Sequence, residues 1–527
     1  MKKSKTPTFL LELPLRVDAG QAKRLRAHFE AGRCLLNALL GEAMKRLRAM
    51  RADPAWQEAR ALPQVKKQER KEAFSRLRQA YGFSEYALHD FAKDANCSWI
   101  ADHIDSVMAQ TLATRAYHAA NRVCLGEAKN VRFKSKGRGL DSVENKWNQS
   151  GMRFVLDPNA GEGGFLLWNQ EVLPARIDWH DAVVRHGLRH PIKYARLVRR
   201  KASSPKAQGA DSEGYRYYVQ LILEGKPYQK PKHTVGTGVV GLDVGPSTVA
   251  IVPQHEEAQL VPFCEELQPD ARAKRRLQRK LDRQRRANNP ENYDEKGRIQ
   301  KHAKGKRRLT WKNSKGYLAT RRRLAAKERK LAAHRKSLHG RLVHQIVRRG
   351  NTIRTEKLSY KAWQKQYGKS VGRNAPGMFL EQLRRTVAST GGILSEFPTQ
   401  STKLSQYCHG CRTYVKKPLS ERWHSCPCGI GPVQRDLYSA WLAAHLEYPN
   451  VIPSIAQDSW EGAELRLRAA VEVLVQRAKE GQALPRSVGI PRAGARLPES
   501  LAPNRQELVY RRGRLAALEL AKEPPML

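Results

Sequence analysis

The first 234 residues alternate between short hydrophobic runs and one long helical pattern. The runs are typical of β-strands and read TFLLELPLRV (8–17), FLLWNQ (165–170) and GYRYYVQLILEG (214–225). Between the first two runs, apolar residues recur every three or four positions, as Leu25, Phe29, Leu36, Leu40, Met44 and Leu47. That spacing predicts helix. We therefore expect two β-rich pieces, residues 1–20 and 126–234, to form one sheet or barrel that is interrupted by a helical domain, residues 21–125.

The second half of the chain mixes strands with helices. The strand pattern recurs in VVGLDVGPSTVAIV (239–252), NTIRTEKLSY (351–360) and ILSEFP (393–398). The helical pattern is found in MFLEQLRRTVASTGG (378–392), QRDLYSAWLAAHLE (434–447) and EGAELRLRAAVEVLVQRAKEG (461–481). Residues 483–506 are rich in Pro, Gly and Arg, a composition typical of a linker or of disorder. We expect residues 449–527 to form a partly disordered C-terminal tail.

A very basic segment separates the first two strand groups of this half. Residues 271–349 hold 29 Lys and Arg against 5 Asp and Glu. Apolar residues spaced for one helical stripe run through its second part, as Tyr317, Leu324, Leu331, Leu338, Leu342 and Ile346. The pattern predicts a helical hairpin. A solvated helix face is the ordinary explanation for such charge, but the scarcity of acids to pair with favours contact with nucleic acid.

The charge of the whole chain leads to the same expectation. Its 527 residues carry 97 Lys and Arg against 50 Asp and Glu, a formal charge of +47. Such a surface repels itself unless it meets a polyanion, and nucleic acid is the usual one. The sequence has no apolar run of about 18 residues and no signal-peptide pattern, so we expect neither membrane insertion nor export, and a cytoplasmic location.

One carboxylate stands alone in an apolar strand. Asp243 lies inside VVGLDVGPSTVAIV, where burial of a charge costs free energy unless a partner such as a bound cation compensates. Glu356 ends the strand that begins near Ile353, and Asp436 opens an amphipathic helix. Taken singly, Glu356 fits a solvated strand end and Asp436 a helix-start acid that suits the helix dipole. Cleavage of a phosphodiester by two metal ions, however, needs several carboxylates that converge on a pair of Mg²⁺ ions.

The order of the three acids carries a family resemblance. GLDVGPSTVA, IRTEKLSY and QRDLYSAWLA resemble the three motifs of a RuvC-type nuclease with an RNase H-like fold. The basic hairpin between the first two motifs, and a cysteine cluster before the third, resemble the TnpB family of transposon-encoded RNA-guided DNA endonucleases and the related compact type V CRISPR effectors. RFKSKGRG (132–139), the first strand and the early helix resemble, more weakly, the wedge and recognition regions of that family. The resemblance spans about residues 8–446.

The resemblance implies a complete domain plan. It implies an α/β RNase H-like (RuvC) nuclease domain, residues 235–400 and 431–448, with the basic hairpin and a zinc ribbon, residues 401–430, inserted. The N-terminal part is implied to be a β-barrel-like wedge domain interrupted by a helical recognition domain. Asp243, Glu356 and Asp436 are implied to bind two catalytic Mg²⁺ ions. Many relatives have Asn two residues after the last Asp, where this chain has Tyr438, and this departure puts only a supporting contact in doubt.

Four of the eight cysteines lie within 21 residues. They are spaced C-x2-C, fourteen residues, C-x-C, as Cys408, Cys411, Cys426 and Cys428. Four thiolates on two short turns predict one closed, structural zinc site. The C-x-C pair is one residue shorter than a usual knuckle, so His424 or His409 could replace one cysteine, or the site could be weak. Free or oxidised thiols are the alternative. Cys34, Cys97, Cys124 and Cys264 are scattered and are expected to be reduced packing residues.

The implied activity is a Mg²⁺-dependent, RNA-guided DNA endonuclease with a single RuvC-like site and a transposon-derived guide. The implied partners are a guide RNA and a target DNA, as a duplex with a short flanking motif and as a displaced single strand. Candidate phosphate contacts are Lys134, Lys136, Arg138, Arg275, Arg276 and Arg279. Three alternatives stay open: a compact type V effector with a CRISPR RNA, a non-cutting RNA-guided repressor, and a strand-transferring transposase, whose usual acid order of Asp, Asp, Glu differs from the order here.

Overall fold

The structure is a computed structural model. It describes residues 6–137, 139–149, 151–157, 163–202, 209–268, 270–300, 309–418, 420–448, 456 and 459–490. The chain divides into two compact units, residues 1–229 and 230–527. No helix in these ranges combines the length and the apolar character that a membrane crossing needs.

The helices of the first unit follow the predicted apolar spacing. They are α1 (Ala19–Ala52), α2 (Pro54–Ala61), α3 (Lys67–Ala80), α4 (Glu85–Ala95), α5 (Ser106–Cys124) and α6 (Ala182–Leu188). Asp18 starts α1 with a capping box, in which its side chain accepts from the amide of Gln21 and the Gln21 side chain accepts from the amide of Asp18. All six apolar residues that predicted this helix are buried. Their stripe packs α1 against α4 and α5 in one core with the strands.

The strands of the first unit form two sheets. They are β1 (Thr8–Pro14), β2 (Ser142–Glu144), β3 (Arg153–Asp157), β4 (Gly163–Trp168), β5 (Glu171–Pro174), β6 (Ile192–Lys201) and β7 (Tyr215–Glu224). The first sheet has the antiparallel order β1-β7-β6-β2 and the second β3-β4-β5. β1 pairs directly with β7, so one sheet is interrupted by the helices, as predicted. An isolated bridge between Leu15 and Ala175 links the two sheets. Among the described residues the strands of the two sheets do not close into a single barrel.

A mixed five-stranded sheet forms the centre of the second unit. Its strands are β8 (Val239–Val244), β9 (Thr248–Pro253), β10 (Gln259–Pro262), β11 (Thr352–Lys357) and β12 (Ile393–Pro398). The order is β10-β9-β8-β11-β12, with β8, β9 and β10 antiparallel and β8, β11 and β12 parallel. Two short strands, β13 (Trp423–His424) and β14 (Val433–Gln434), pair separately. The sheet with its covering helices is an α/β arrangement, as expected.

Helices cover both faces of this sheet. They are α7 (Ala271–Asn288), α8 (Lys315–Arg349), α9 (Tyr360–Asn374), α10 (Pro376–Ser389), α11 (Thr399–Thr402), α12 (Arg435–Ala444) and α13 (Trp460–Lys479). Alternate residues of β9 point to opposite faces. Val249 and Ile251 pack with α8 and α10, while Ala250 and Val252 pack with α12 and α13.

The predicted basic hairpin is present as α7 and α8. No residue of α7 is buried, and α8 buries Leu338, Leu342 and Ile346 towards its C-terminal end. The two helices meet through ion pairs such as Lys274–Glu328 and Lys327–Asp270. The hairpin is therefore a largely solvated, basic projection that is anchored to the sheet at one end.

Residues 459–490 belong to the core of the second unit, whereas the sequence analysis placed them in a tail. The predicted helix is present as α13, and it buries Trp460, Leu467 and Leu474 in the cluster that holds α12 and one face of β9. Residues 449–455, 457–458 and 491–527 of the expected tail lie outside the described residues. The predicted tail, which begins at residue 449, therefore includes a helix that packs in the core of the second unit.

Candidate active site and metal centre

Two of the three acids stand side by side at one edge of the sheet. β8 and β11 run parallel, with Leu242 opposite Thr355 as the last paired position. Asp243 and Glu356 each follow by one residue, so both side chains leave the same face at the carboxyl ends of neighbouring strands. Neighbouring strands lie about 4.8 Å apart. The register therefore brings together two carboxylates that are far apart in sequence.

A helix packed on the same face brings the third acid. Asp436 lies in the first turn of α12. This helix approaches β8 so closely that a Cβ atom on Gly241 would lie 1.9 Å from the carbonyl oxygen of Ala440. Because Gly241 and Asp243 are two residues apart on one strand, they share a face. The absence of a side chain at Gly241 is what allows α12 to lie on the face that carries Asp243.

The three carboxylates line one cavity of about 840 Å³. Burial is the main cause that raises the pKa of Asp243 well above its ordinary value of 3.8, and the negative charges of Asp436 and Glu356 raise it further. Burial also raises the pKa values of Glu356 and Asp436. The negative charges of Glu356 and Asp436 thus disfavour the ionised form of the half-buried Asp243, an arrangement that a divalent cation would relieve.

Hydrogen bonds and nearby cations hold the ionised forms. Glu356 Oε1 accepts from the Thr402 hydroxyl and, at 3.4 Å, from the amide of Leu404, and both contacts oppose the rise in its pKa. Arg435 and Arg422 lower the pKa values of Asp243 and Asp436. The cavity lining thus combines the three acids and Glu265 with four guanidinium groups, those of Arg373, Arg422, Arg435 and Arg486, which suits both a metal ion and a phosphate.

Part of this cavity wall was not predicted from the sequence. Arg422 and Arg435 flank the site, and residues 483–487, which were expected to be a linker, line the same cavity. Arg435 immediately precedes Asp436 in the sequence, so its presence at the cavity could have been predicted. Arg422 and the 483–487 segment reach the cavity only through the tertiary fold.

The four clustered cysteines converge as predicted. All four Sγ atoms lie within 4.8 Å of one another. Two pairs, Cys408 with Cys428 and Cys411 with Cys426, are 3.5 Å apart. A tetrahedral zinc ion with Zn–S bonds of about 2.3 Å separates its sulfurs by about 3.8 Å. The short C-x-C pair therefore does not prevent four thiols from fitting one zinc ion.

The two histidines proposed as substitute ligands are engaged elsewhere. The Nδ1 atom of His409 lies 2.8 Å from the Tyr438 hydroxyl, and the His409 amide donates to that hydroxyl at 3.1 Å. The His424 ring stacks on Tyr438 with centroids 4.2 Å apart, and Lys417 lies 3.2 Å from its Nδ1 atom. Burial lowers the pKa of each histidine to about 4, so both are neutral near pH 7.

Tyr438, which stands where many relatives have Asn, lies outside the lining of the acidic cavity. It is fully buried. Its side chain points to the cysteine segment, and it lies two residues after Asp436 on α12. This tyrosine joins the cysteine segment to the helix that carries the third acid.

The candidate nucleic-acid contacts lie in two separate places. Arg275, Arg276 and Arg279 are exposed on α7 and form no ion pair with any residue that the structure describes. In the basic loop Lys136 is exposed, while Lys134 is half-buried and its backbone is held by Asn37. Arg138 lies outside the described residues. Arg275, Arg276 and Arg279 are not among the residues that line the acidic cavity.

Comparisons with known proteins give distant likenesses only. No family model matches the chain, and no curated protein matches it. Among solved structures, it is similar to one described as the cryo-EM structure of the Cas12f1–sgRNA–target DNA complex, with 11% identity, a TM-score of 0.41, and coverage of 82% of this chain and 98% of that chain. A cryo-EM structure of a CRISPR-Cas12f ternary complex follows with 11% identity, a TM-score of 0.26, and coverage of 83% and 86%. At these values the family of this chain stays open.

Proposed function

We propose that this protein is an RNA-guided DNA endonuclease that cuts its target by Mg²⁺-dependent hydrolysis at a single site. The observation that carries the proposal is the convergence of Asp243, Glu356 and Asp436 in one cavity. Three half-buried carboxylates in one cavity, two of which raise the pKa of Asp243, destabilise the fold unless a partner compensates. Such a cluster is typical of a functional metal site.

The three acids would hold two Mg²⁺ ions, which when bound stabilise the attacking and the leaving oxygen of a phosphodiester. Contacts within the fold orient two of these carboxylates. Thr402 and the Leu404 amide orient the Glu356 carboxylate, and the packing of α12 on Gly241 orients Asp436. Arg422 and Arg435 add positive charge where a phosphate would bind. This preorganisation fits metal-assisted hydrolysis of a nucleic acid backbone.

The charge of the chain supports a nucleic acid as both guide and target. The hairpin of α7 and α8 projects a solvated surface on which Arg275, Arg276 and Arg279 form no ion pair with a described residue, and the charge of Arg276 acts on Asp270 only by lowering its pKa. Free guanidinium groups bind phosphates in a sequence-independent way. We assign these residues, with Lys134 and Lys136 of the basic loop, to the guide RNA or to its duplex with target DNA. Base pairing would then supply the sequence specificity.

A transposon-derived RNA is the proposed guide, with a CRISPR RNA as the alternative source, because the motif order is shared by both families. The four cysteines would bind one structural zinc ion, which stiffens the segment next to Asp436 and takes no part in the chemistry. A repressor that binds without cutting is the competing function. It is disfavoured because all three carboxylates are intact and lie in one cavity.

The test begins with purification of the protein from cells that carry its native locus, followed by sequencing of the RNA that accompanies it. The proposal expects one discrete RNA with a constant part and a variable end. A plasmid that matches the variable end should then be cut with Mg²⁺ and left intact with EDTA. A mixture of unrelated cellular RNA would contradict guidance, and binding without cutting would establish the repressor.

A further inference from the structure

A segment after α13 returns to the acidic cavity. Residues 483–487 line the cavity together with the three carboxylates. In sequence this segment is ALPRS, part of the stretch whose Pro, Gly and Arg content predicted a linker. The cavity wall is therefore completed by a part of the chain that lies some 50 residues beyond Asp436.

The segment is fixed on its first side to the strand hairpin that carries Asp243. The hydroxyls of Ser487 and Thr248 lie 3.2 Å apart. Thr248 is buried at the start of β9, and its backbone carbonyl accepts from the amide of Gly245 in the turn that follows Asp243. The next residue, Val488, is buried in the core that includes α12 and α13. These contacts anchor the segment to the strand hairpin that carries Asp243, and the segment and Asp243 line the same cavity.

The segment is fixed on its other side to the strand that follows Arg422. The indole Nε1 of Trp423 donates to the carbonyl of Gly489 at 3.3 Å. Gly489 has a φ of +82°, and a Cβ atom there would lie 2.7 Å from the Cβ of Arg422. Glycine thus permits both the left-handed backbone and the close approach. Residues 486–489 are held between the Asp243 hairpin and the cysteine segment.

Arg486 is the one cation that this anchored segment presents to the cavity. It is exposed, and it forms no ion pair with any residue in the described part of the chain. Arg435 and Arg422, by contrast, lower the pKa values of Asp243 and Asp436. A guanidinium group that faces a cavity built for cations and is not used to neutralise its acids is suited to bind an anion there. Its planar pair of donors matches a phosphate.

We infer that Arg486 binds a backbone phosphate of the nucleic acid strand in the cavity, next to the phosphate that is cut. The inference rests on the proposed function and goes beyond it, because it assigns substrate binding to the segment after α13. Arg486 holds the strand in register with the three carboxylates. Its loss weakens the grip on the strand and leaves the metal ligands in place.

The test uses the full chain, purified with its RNA, and DNA strands in which single phosphates near the cut are replaced by neutral methylphosphonates. Wild-type protein should lose about tenfold in cleavage at one substituted position, the size expected for one charged hydrogen-bonded contact. Arg486→Ala should cut unmodified DNA about tenfold more slowly at low DNA concentration and show no further loss at that position. Arg486→Lys should recover part of the loss, since a charge remains.

Lys479→Ala is the matched control, because it removes an exposed cation at the end of α13 outside the cavity lining. Lys479→Ala should cut unmodified DNA at the wild-type rate and should lose cleavage at the same methylphosphonate position as the wild type. An unchanged methylphosphonate pattern in Arg486→Ala would overturn the inference while metal-dependent cutting stands. If wild-type protein cuts no DNA with any divalent metal, the proposed function fails, and the inference falls with it.

Discussion

The acidic cavity and the four-cysteine cluster both gather side chains that can bind cations, but the chain builds them in opposite ways. The cavity takes its carboxylates from positions 243, 356 and 436, on two strands and a helix of the central sheet layer. The cluster takes its thiols from residues 408–428 alone, and in the described part of that range the one strand is the two-residue β13. One site is a product of the fold, and the other is a product of local turns.

This difference has a consequence for what each metal does. The carboxylates are held by a packed core, so their positions exist before any ion binds, and they pay for it with raised pKa values. The cysteine turns have little core of their own, so a bound zinc ion supplies much of what holds them together. We expect loss of the first metal to abolish chemistry without unfolding, and loss of the second to loosen structure.

The largest effect is expected from Asp243→Ala. Removal of one metal ligand should reduce DNA cleavage by about a thousandfold or more, since metal ions supply several kcal/mol of transition-state stabilisation. Guided DNA binding should persist, and the midpoint of thermal unfolding should not fall, because a buried, repelled carboxylate is lost. Single-turnover kinetics measure cleavage, and a gel-shift assay measures guided DNA binding. Asp282→Ala, an exposed acid on α7, is the control. Undiminished cutting by Asp243→Ala would exclude the acid cavity as the active site.

A smaller but still large effect is expected from Cys428→Ser. This change should lower the zinc content from one ion per chain and make residues 408–428 at least about tenfold more sensitive to limited proteolysis, while the central sheet stays folded. His424→Gln should keep the zinc ion, since that ring stacks on Tyr438. Metal analysis and mass spectrometry of the fragments give the readouts. Loss of zinc in His424→Gln with retention in Cys428→Ser would reverse the ligand assignment.

A moderate effect is expected on the pH dependence of the stability of the metal-free protein when Asp243 is replaced by Asn. The pKa of Asp243 is raised in the folded state, so the folded state binds this proton more tightly than the unfolded state does. Its contribution to stability is present below the ordinary value of 3.8 and is lost as pH rises through the raised pKa. Asp243→Asn should therefore gain stability over wild type as pH rises above 3.8 and through the raised pKa, and Mg²⁺ should shrink the difference. Urea unfolding at several pH values tests this, and a pH-independent difference would contradict it.

The smallest effect is expected at the link between the two sites. Tyr438→Phe removes the hydroxyl that contacts the amide and ring of His409, and it should cost about 1 kcal/mol of stability. Because the ring still packs on α12, Asp436 should stay in place and cleavage should fall by less than about tenfold. Thermal unfolding and single-turnover rates measure the two effects. A loss of cutting as deep as that of Asp243→Ala would show that the cysteine segment controls the acid cavity.

The same contrast explains how much the sequence could predict. The cysteine site could be read from spacing alone, because its ligands are neighbours in sequence. The three acids were found through the order of their motifs, and the apolar periods predicted the strands and helices that carry them. Sequence could not reveal that Gly241 admits α12, that Tyr438 turns towards the cysteines, or that residues 483–487 close the cavity. Each of these depends on a contact between segments that no local pattern records.

The most direct test of the central claim is to count divalent ions in the acidic cavity. Electron paramagnetic resonance of Mn²⁺ added to the protein with its RNA and an uncleavable target should show a spin-coupled pair of ions, which report two metals in one site. Asp243→Asn should abolish the coupled signal, and Asp282→Ala should retain it. A wild-type protein that binds only isolated Mn²⁺ ions, or a coupled pair that survives in Asp243→Asn, would contradict the assignment of Asp243, Glu356 and Asp436 as one two-metal site.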